Sequence, residues 1–158
     1  MTFSRLLLLA CALPALAAQS PHFEAETLAG KHVAMPAAAQ GHPALLIMGF
    51  SQASGKQTAD WAKKAKGLCE IWSMAVLEDV PRLVRPLVSR GIRGGIPKSE
   101  YDHFLLVFKN EADLKTAVSF DRADDAYLLL LTPDGSVKWR THGLVTDEAL
   151  AELRKQLE

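Results

Sequence analysis

Apolar and polar residues alternate over Phe23-Glu24-Ala25-Glu26-Thr27-Leu28, the period of a half-buried strand. Ala29-Gly30-Lys31 supplies a tight turn and His32-Val33-Ala34-Met35 returns, which predicts a hairpin. Residues 36–43 are small, polar and flanked by proline, and read as a loop. From Ala44 to Phe50 the alternation stops. The run is apolar on both faces, as in a central strand covered on both sides. Ser51 to Gly55 is then a turn, where Ser51 or Ser54 can cap the next helix. Thr58, Trp61, Ala62 and Ala65 recur at helical spacing and predict its inner stripe, and Gly67 stops it.

A strand over Glu70 to Leu77 follows. Asp79 is expected to cap a second helix, with Pro81 in its first turn, Leu83, Val84, Leu87 and Val88 on its inner side, and a kink at Pro86. Gly91 to Pro97 reads as a glycine-rich loop carrying Arg93. His103 to Phe108 is a third apolar strand, and Asn110 caps a short helix reaching Val118. Tyr127 to Leu131 and Val137 to Arg140 are strands joined by the turn Pro133-Asp134-Gly135. Thr146 opens the last helix, whose first turn carries Asp147 and Glu148 and whose Leu150, Leu153 and Leu157 face the core. There is no internal repeat and no interdomain linker.

The first residues stand outside this pattern. Arg5, the apolar run Leu6 to Leu13 and Ala15-Leu16-Ala17 have the order of a secretory signal peptide. That divides the chain into a leader, 1–17, and one domain, 18–158, exported to the periplasm or secreted after cleavage near Ala17. The apolar run is too short to span a bilayer. Leu8-Leu9-Ala10-Cys11 also has the look of a lipoprotein signal that would leave Cys11 lipidated. Cleavage near Ala17 would remove Cys11 and leave Cys69 alone, so no intrachain disulfide can form. The 158 residues carry 18 basic and 18 acidic side chains, a balance that draws the chain to neither nucleic acid nor an anionic membrane.

Candidate chemistry is sparse. Cys69 enters the second strand away from any helix N-terminus that would lower its pKa, and reads as a small core side chain. Ser54 has no Gly-x-Ser-x-Gly elbow, and no carboxylate is clearly placed to orient His103 or His142 as its base. His22, His32, His42, His103 and His142 have no histidine partner at helical spacing, so no metal site is expected. Arg82, Arg85, Arg90 and Arg93 cluster in sequence, and Arg140 and His142 follow the closing strand. They offer either a solvated face or a site for a carboxylate or phosphate, which guanidinium binds bidentately.

The element order resembles the peroxiredoxin-like branch of the thioredoxin superfamily. Phe23-x4-Leu28-x-Gly30-Lys31-x-Val33 resembles its entry hairpin, and Leu130-Leu131-Thr132-Pro133-Asp134-Gly135-Ser136-Val137 its closing hairpin. The second half also resembles mitochondrial ATP synthase assembly factors through Tyr127-Leu128-Leu129-Leu130, Val137-Lys138-Trp139-Arg140 and Gly143. The resemblance implies an α/β thioredoxin-like fold: a central mixed sheet, helices on both faces and an N-terminal hairpin. It also implies a reactive Cys-x-x-Cys where Ser54-Gly55-Lys56-Gln57 stands, and a cis-proline where Ala126 stands. Both are replaced. The expectation is an exported binding or assembly module without dithiol chemistry or cofactor. A protein partner or small anionic ligand would meet Ser54, Lys56, Gln57, Arg93, Arg140 and His142. The alternative is a single-cysteine peroxiredoxin-like oxidoreductase using Cys69.

Overall fold

A computed structural model describes residues 19–158. The expected signal peptide and Cys11 lie outside the described residues. The sheet has seven strands: β1 (Phe23–Thr27), β2 (His32–Met35), β3 (Ala44–Gly49), β4 (Glu70–Val76), β5 (Phe104–Val107), β6 (Ala126–Leu131) and β7 (Val137–His142). Their order is β2-β1-β5-β4-β3-β6-β7. β3, β4 and β5 run parallel, and the hairpins β1–β2 and β6–β7 add antiparallel edges on either side. The fold is α/β and thioredoxin-like. Among the described residues no helix is long and apolar enough to cross a membrane.

The unalternating strands lie at the centre, as their pattern requires. Every residue of β3 and β6 is buried. Leu46, Met48, Tyr127 and Leu129 point to one face, where Leu114 and Val118 of α3 (Glu111–Ala117) and the segment after it close the core. Leu45, Ile47, Leu128 and Leu130 point to the other, under α1 (Gly55–Ala65) and α4 (Asp147–Leu157). Trp61 and Ala65 are fully buried there, and the Trp61 indole donates to the Gly143 carbonyl at 2.9 Å. Full burial of such a side chain contributes roughly 1.5–3 kcal/mol. At the start of α4, Thr146 Oγ1 accepts the Ala149 N–H at 3.1 Å, the expected cap.

Helix α2 (Arg85–Gly95) departs from expectation in three ways. It begins at Arg85 rather than Asp79, it has no kink at Pro86, and it continues through the glycines expected to form a loop. Pro86 lacks an N–H and is excluded from a helix interior, so the helix starts beside it, where the missing donor costs least. Residues Pro81 to Val84 form a preceding turn, closed by Val84 N–H to Pro81 O at 3.0 Å. Leu83 and Leu87, expected inside, are 95% and 68% exposed. Ser89 is its one buried residue. Two arginines pin its ends instead. Arg85 donates to the Val80 and Glu78 carbonyls at 2.9 and 3.2 Å and lies over the Phe108 ring. Arg93 Nε donates to the Leu28 carbonyl at 3.1 Å, and Tyr101 donates to the Arg93 carbonyl at 2.9 Å.

Candidate functional site

The candidate site forms where β3 ends and α1 begins. Parallel strands leave their C-terminal ends and the following helix N-terminus at one edge, the usual place for a site in an open α/β sheet. Ser51 and Ser54 hold the junction reciprocally. Ser51 Oγ accepts the Ser54 N–H at 3.1 Å and donates to the Ala123 carbonyl at 2.7 Å. Ser54 Oγ donates to the Ser51 carbonyl at 2.7 Å. Neither hydroxyl caps the helix as expected: Ser51 Oγ takes the N–H of Ser54, the residue before the helix, and Ser54 Oγ turns back to the Ser51 carbonyl. Ser54 is fully buried and packs on Gly49, where a Cβ would come within 2.7 Å of its Oγ. Only glycine admits this approach.

Gln57 lies one turn further on. Its Oε1 accepts the Ala126 N–H at 3.0 Å, tying α1 to the first residue of β6 across 69 positions of chain. Proline at 126 would have no N–H to give. The two departures from the resembling family, Gln57 and Ala126, thus meet as a hydrogen-bonded pair. Lys56 is exposed and spans one helical turn to Asp60 at 2.9 Å.

The loop facing this junction is fixed by aromatics. Phe50, Phe120 and Tyr127 meet with ring centroids 5.0–5.7 Å apart. The buried Tyr127 hydroxyl accepts the Asp121 and Arg122 N–H groups at 3.0 and 2.8 Å and donates to Asp121 Oδ1 at 2.8 Å. His142 stacks on Tyr127 at 5.3 Å, and its Nδ1 lies 2.9 Å from Asp125 Oδ2. Donor atoms of Asp121, Asp125 and His142 lie within 4.8 Å of one another. His142 and Asp125 already pair, and Asp121 already accepts from Tyr127, so the cluster reads as a hydrogen-bond network. Sequence reasoning missed it, because neither Asp121 nor Asp125 sits at a fixed spacing from His142.

The remaining candidates are dispersed. Arg93 bonds Leu28 beside β1 on the α2 side of the sheet. Arg140 Nη1 bonds the Ala117 carbonyl at 3.3 Å on the α3 side. β1 and β7 stand five positions apart in the sheet, roughly 24 Å at normal strand spacing. The two arginines do not form one site. Cys69 lies just before β4, level with the start of β3, roughly 20 Å along the strands from Gly49. It is half-buried, and burial, the largest cause, together with the Glu70 charge pushes its pKa up from 9.0 to about 11 against a backbone hydrogen bond at Leu45. Its thiol is protonated at neutral pH, the opposite of an activated nucleophile.

No protein-family model and no curated protein matches the sequence. Solved structures do match in shape. BsSco, a member of the Sco family of cytochrome c oxidase assembly proteins, is 14% identical, with a TM-score of 0.61 over 90% of this chain and 95% of that one. An exposed lipoprotein thioredoxin from Streptococcus pneumoniae is 14% identical, with a TM-score of 0.58 over 86% and 99%. A peroxiredoxin-like protein from Aquifex aeolicus is 10% identical, with a TM-score of 0.53 over 89% and 86%. At these identities the likeness establishes the thioredoxin-like fold.

Proposed function

We propose that the chain is an exported thioredoxin-like module that binds a protein partner and performs no dithiol exchange. The observation that carries this reading is the Gln57–Ala126 hydrogen bond. Dithiol exchange needs a thiolate at the helix N-terminus and an open groove beside it. Ser54, at that position, is buried against Gly49, and Gln57 spends its acceptor on the strand edge that would border the groove. A serine hydroxyl needs an adjacent base to act as a nucleophile, and among the described residues Ser54 Oγ bonds only to Ser51. The exposed rim of this junction, with Lys56 and the Asp125–His142 pair, is the surface we assign to a partner. Export rests on the Arg5, Leu6–Leu13 and Ala15-Leu16-Ala17 pattern.

The test is disulfide exchange with insulin and dithiothreitol, and peroxide consumption, by the mature protein and by Cys69→Ser. The expected result is the uncatalysed rate for both proteins. Turnover that vanishes in Cys69→Ser would establish the single-cysteine oxidoreductase instead.

A further inference from the structure

A second feature opens beside the β3–α1 junction, whose Gly49, Ser51, Ser54 and Gly55 line one end of it. Between α1 and α2, over β4, runs a cavity of about 970 Å³, at the upper end of the ~300–1,000 Å³ of small-molecule pockets. It exists because the side chains around it are small. Ser73 and Ala75 form its floor, Ala62 lines the α1 wall, and Gly91 and Gly95 thin the α2 wall. β4 shows the consequence: Trp72, Met74 and Val76 are buried on the α3 side, whereas Ser73 and Ala75 stay half-exposed although the strand is central to the sheet. Val88 and Ile92 supply apolar surface on α2.

The ends of the cavity differ in charge. α1 descends to the N-terminal end of β4, bringing Lys63 and Lys66 to one mouth together with Glu100. Neither lysine has an ion-pair partner among the described residues, and Glu100 has none either. That mouth carries a net positive charge. Asp79 and Glu111 stand at the other mouth, where Glu111 is held by Lys115 at 2.5 Å. An apolar trough, positive at one end and negative at the other, orients an amphiphile.

We propose that this cavity binds a long-chain carboxylate, with its tail along Ser73 and Ala75 and its head at Lys63 and Lys66. Burying the tail supplies most of the affinity, because apolar surface leaves water. The two ammonium groups select the anionic head over a neutral one. The cavity shares Ser51, Ser54 and Gly55 with the junction, but Lys56, Asp125 and His142 of the proposed rim do not line it, so either can fail alone.

The experiment is displacement of 1-anilinonaphthalene-8-sulfonate from the mature protein by dodecanoate and by dodecanol, with near-ultraviolet circular dichroism as the control for folding. Saturable, single-site displacement by dodecanoate is expected. Ala75→Phe fills the floor and Ala62→Phe fills the wall. Each is expected to weaken dodecanoate about tenfold or more, and the second keeps the test open if the first does not fold. The double variant Lys63→Glu/Lys66→Glu is expected to weaken dodecanoate about tenfold while leaving dodecanol unchanged. Absence of saturable displacement, parental affinity in both filled variants, or equal losses for acid and alcohol in the lysine variant would overturn the proposal. So would a dimer of the parent protein that Ala62→Phe disperses, which would give the groove to a second copy of the chain.

Discussion

Helices α1 and α2 both connect parallel strands, and both face the cavity over β4, yet they are held in opposite ways. α1 is held by what it buries: Trp61 and Ala65 are sealed against Leu45, Ile47 and Leu128. α2 is held at its ends, by Arg85 on carbonyls before it and Arg93 on the Leu28 carbonyl, and it leaves Leu87 in solvent, as the turn before it leaves Leu83. The difference teaches that apolar periodicity marks a face able to be buried. Burial itself depends on which side chains meet a neighbour: Val88 and Ile92 line the cavity opposite Ser73 and Ala75, and Leu87 does not.

The sharpest way to break this contrast is truncation on each helix. Trp61→Ala is expected to cost about 3–5 kcal/mol in urea unfolding, through the emptied volume and the lost bond to Gly143. Leu87→Ala is expected to stay within about 0.5 kcal/mol, since the side chain is already exposed. Equal losses would show that α2 packs as α1 does. A smaller effect is expected from Arg93→Ala, about 1 kcal/mol for one partly exposed hydrogen bond. Amide exchange should quicken over residues 88–96 and stay unchanged in α1. Uniform acceleration would mean that α2 is not an independent unit.

Gly91→Ala should act in the other direction. A Cβ there meets nothing within 4 Å, and alanine is the better helix former, so stability should rise by about 0.5–1 kcal/mol. Destabilisation would contradict the open space beside α2. The smallest effect near neutral pH belongs to Cys69, on the α1 side. Its folded pKa, about 11, exceeds the 9.0 of an unperturbed thiol, so the folded state holds the proton more tightly. Its contribution to stability is therefore complete below about pH 9 and is lost as pH rises towards about 11. Unfolding curves against pH should show this fall in the parent and not in Cys69→Ala, and native thiol labelling should remain slow until the same range.

Much of the architecture was legible because local chemistry and periodicity agreed. The turns at Gly30 and Gly135, the unbroken apolar runs of β3 and β6 and the Thr146 cap each specify their element from adjacent residues. α2 was misread because Leu83, Val84, Leu87 and Val88 have helical spacing. Pro86 breaks that pattern into a turn followed by a helix. Positions 54, 57 and 126 stood out from the chain through the resemblance alone, but the bond joining Gln57 to Ala126 did not, since it bridges elements distant in sequence. The separation of Arg93 from Arg140 follows from strand order, which no local pattern encodes. The cavity was hidden for a related reason. A small residue opens space only where the residue opposite is also small, and that pairing is tertiary.

The Gln57–Ala126 bond also limits how this chain can change. A cysteine at 57 alone would leave the Ala126 N–H without its partner, and a proline at 126 alone would leave the Gln57 carbonyl without its donor. A cysteine at 54 would press a larger sulfur against Gly49. Positions 57 and 126 are therefore coupled: a change at either one strands a polar group of the other, and only a joint change leaves neither unpaired.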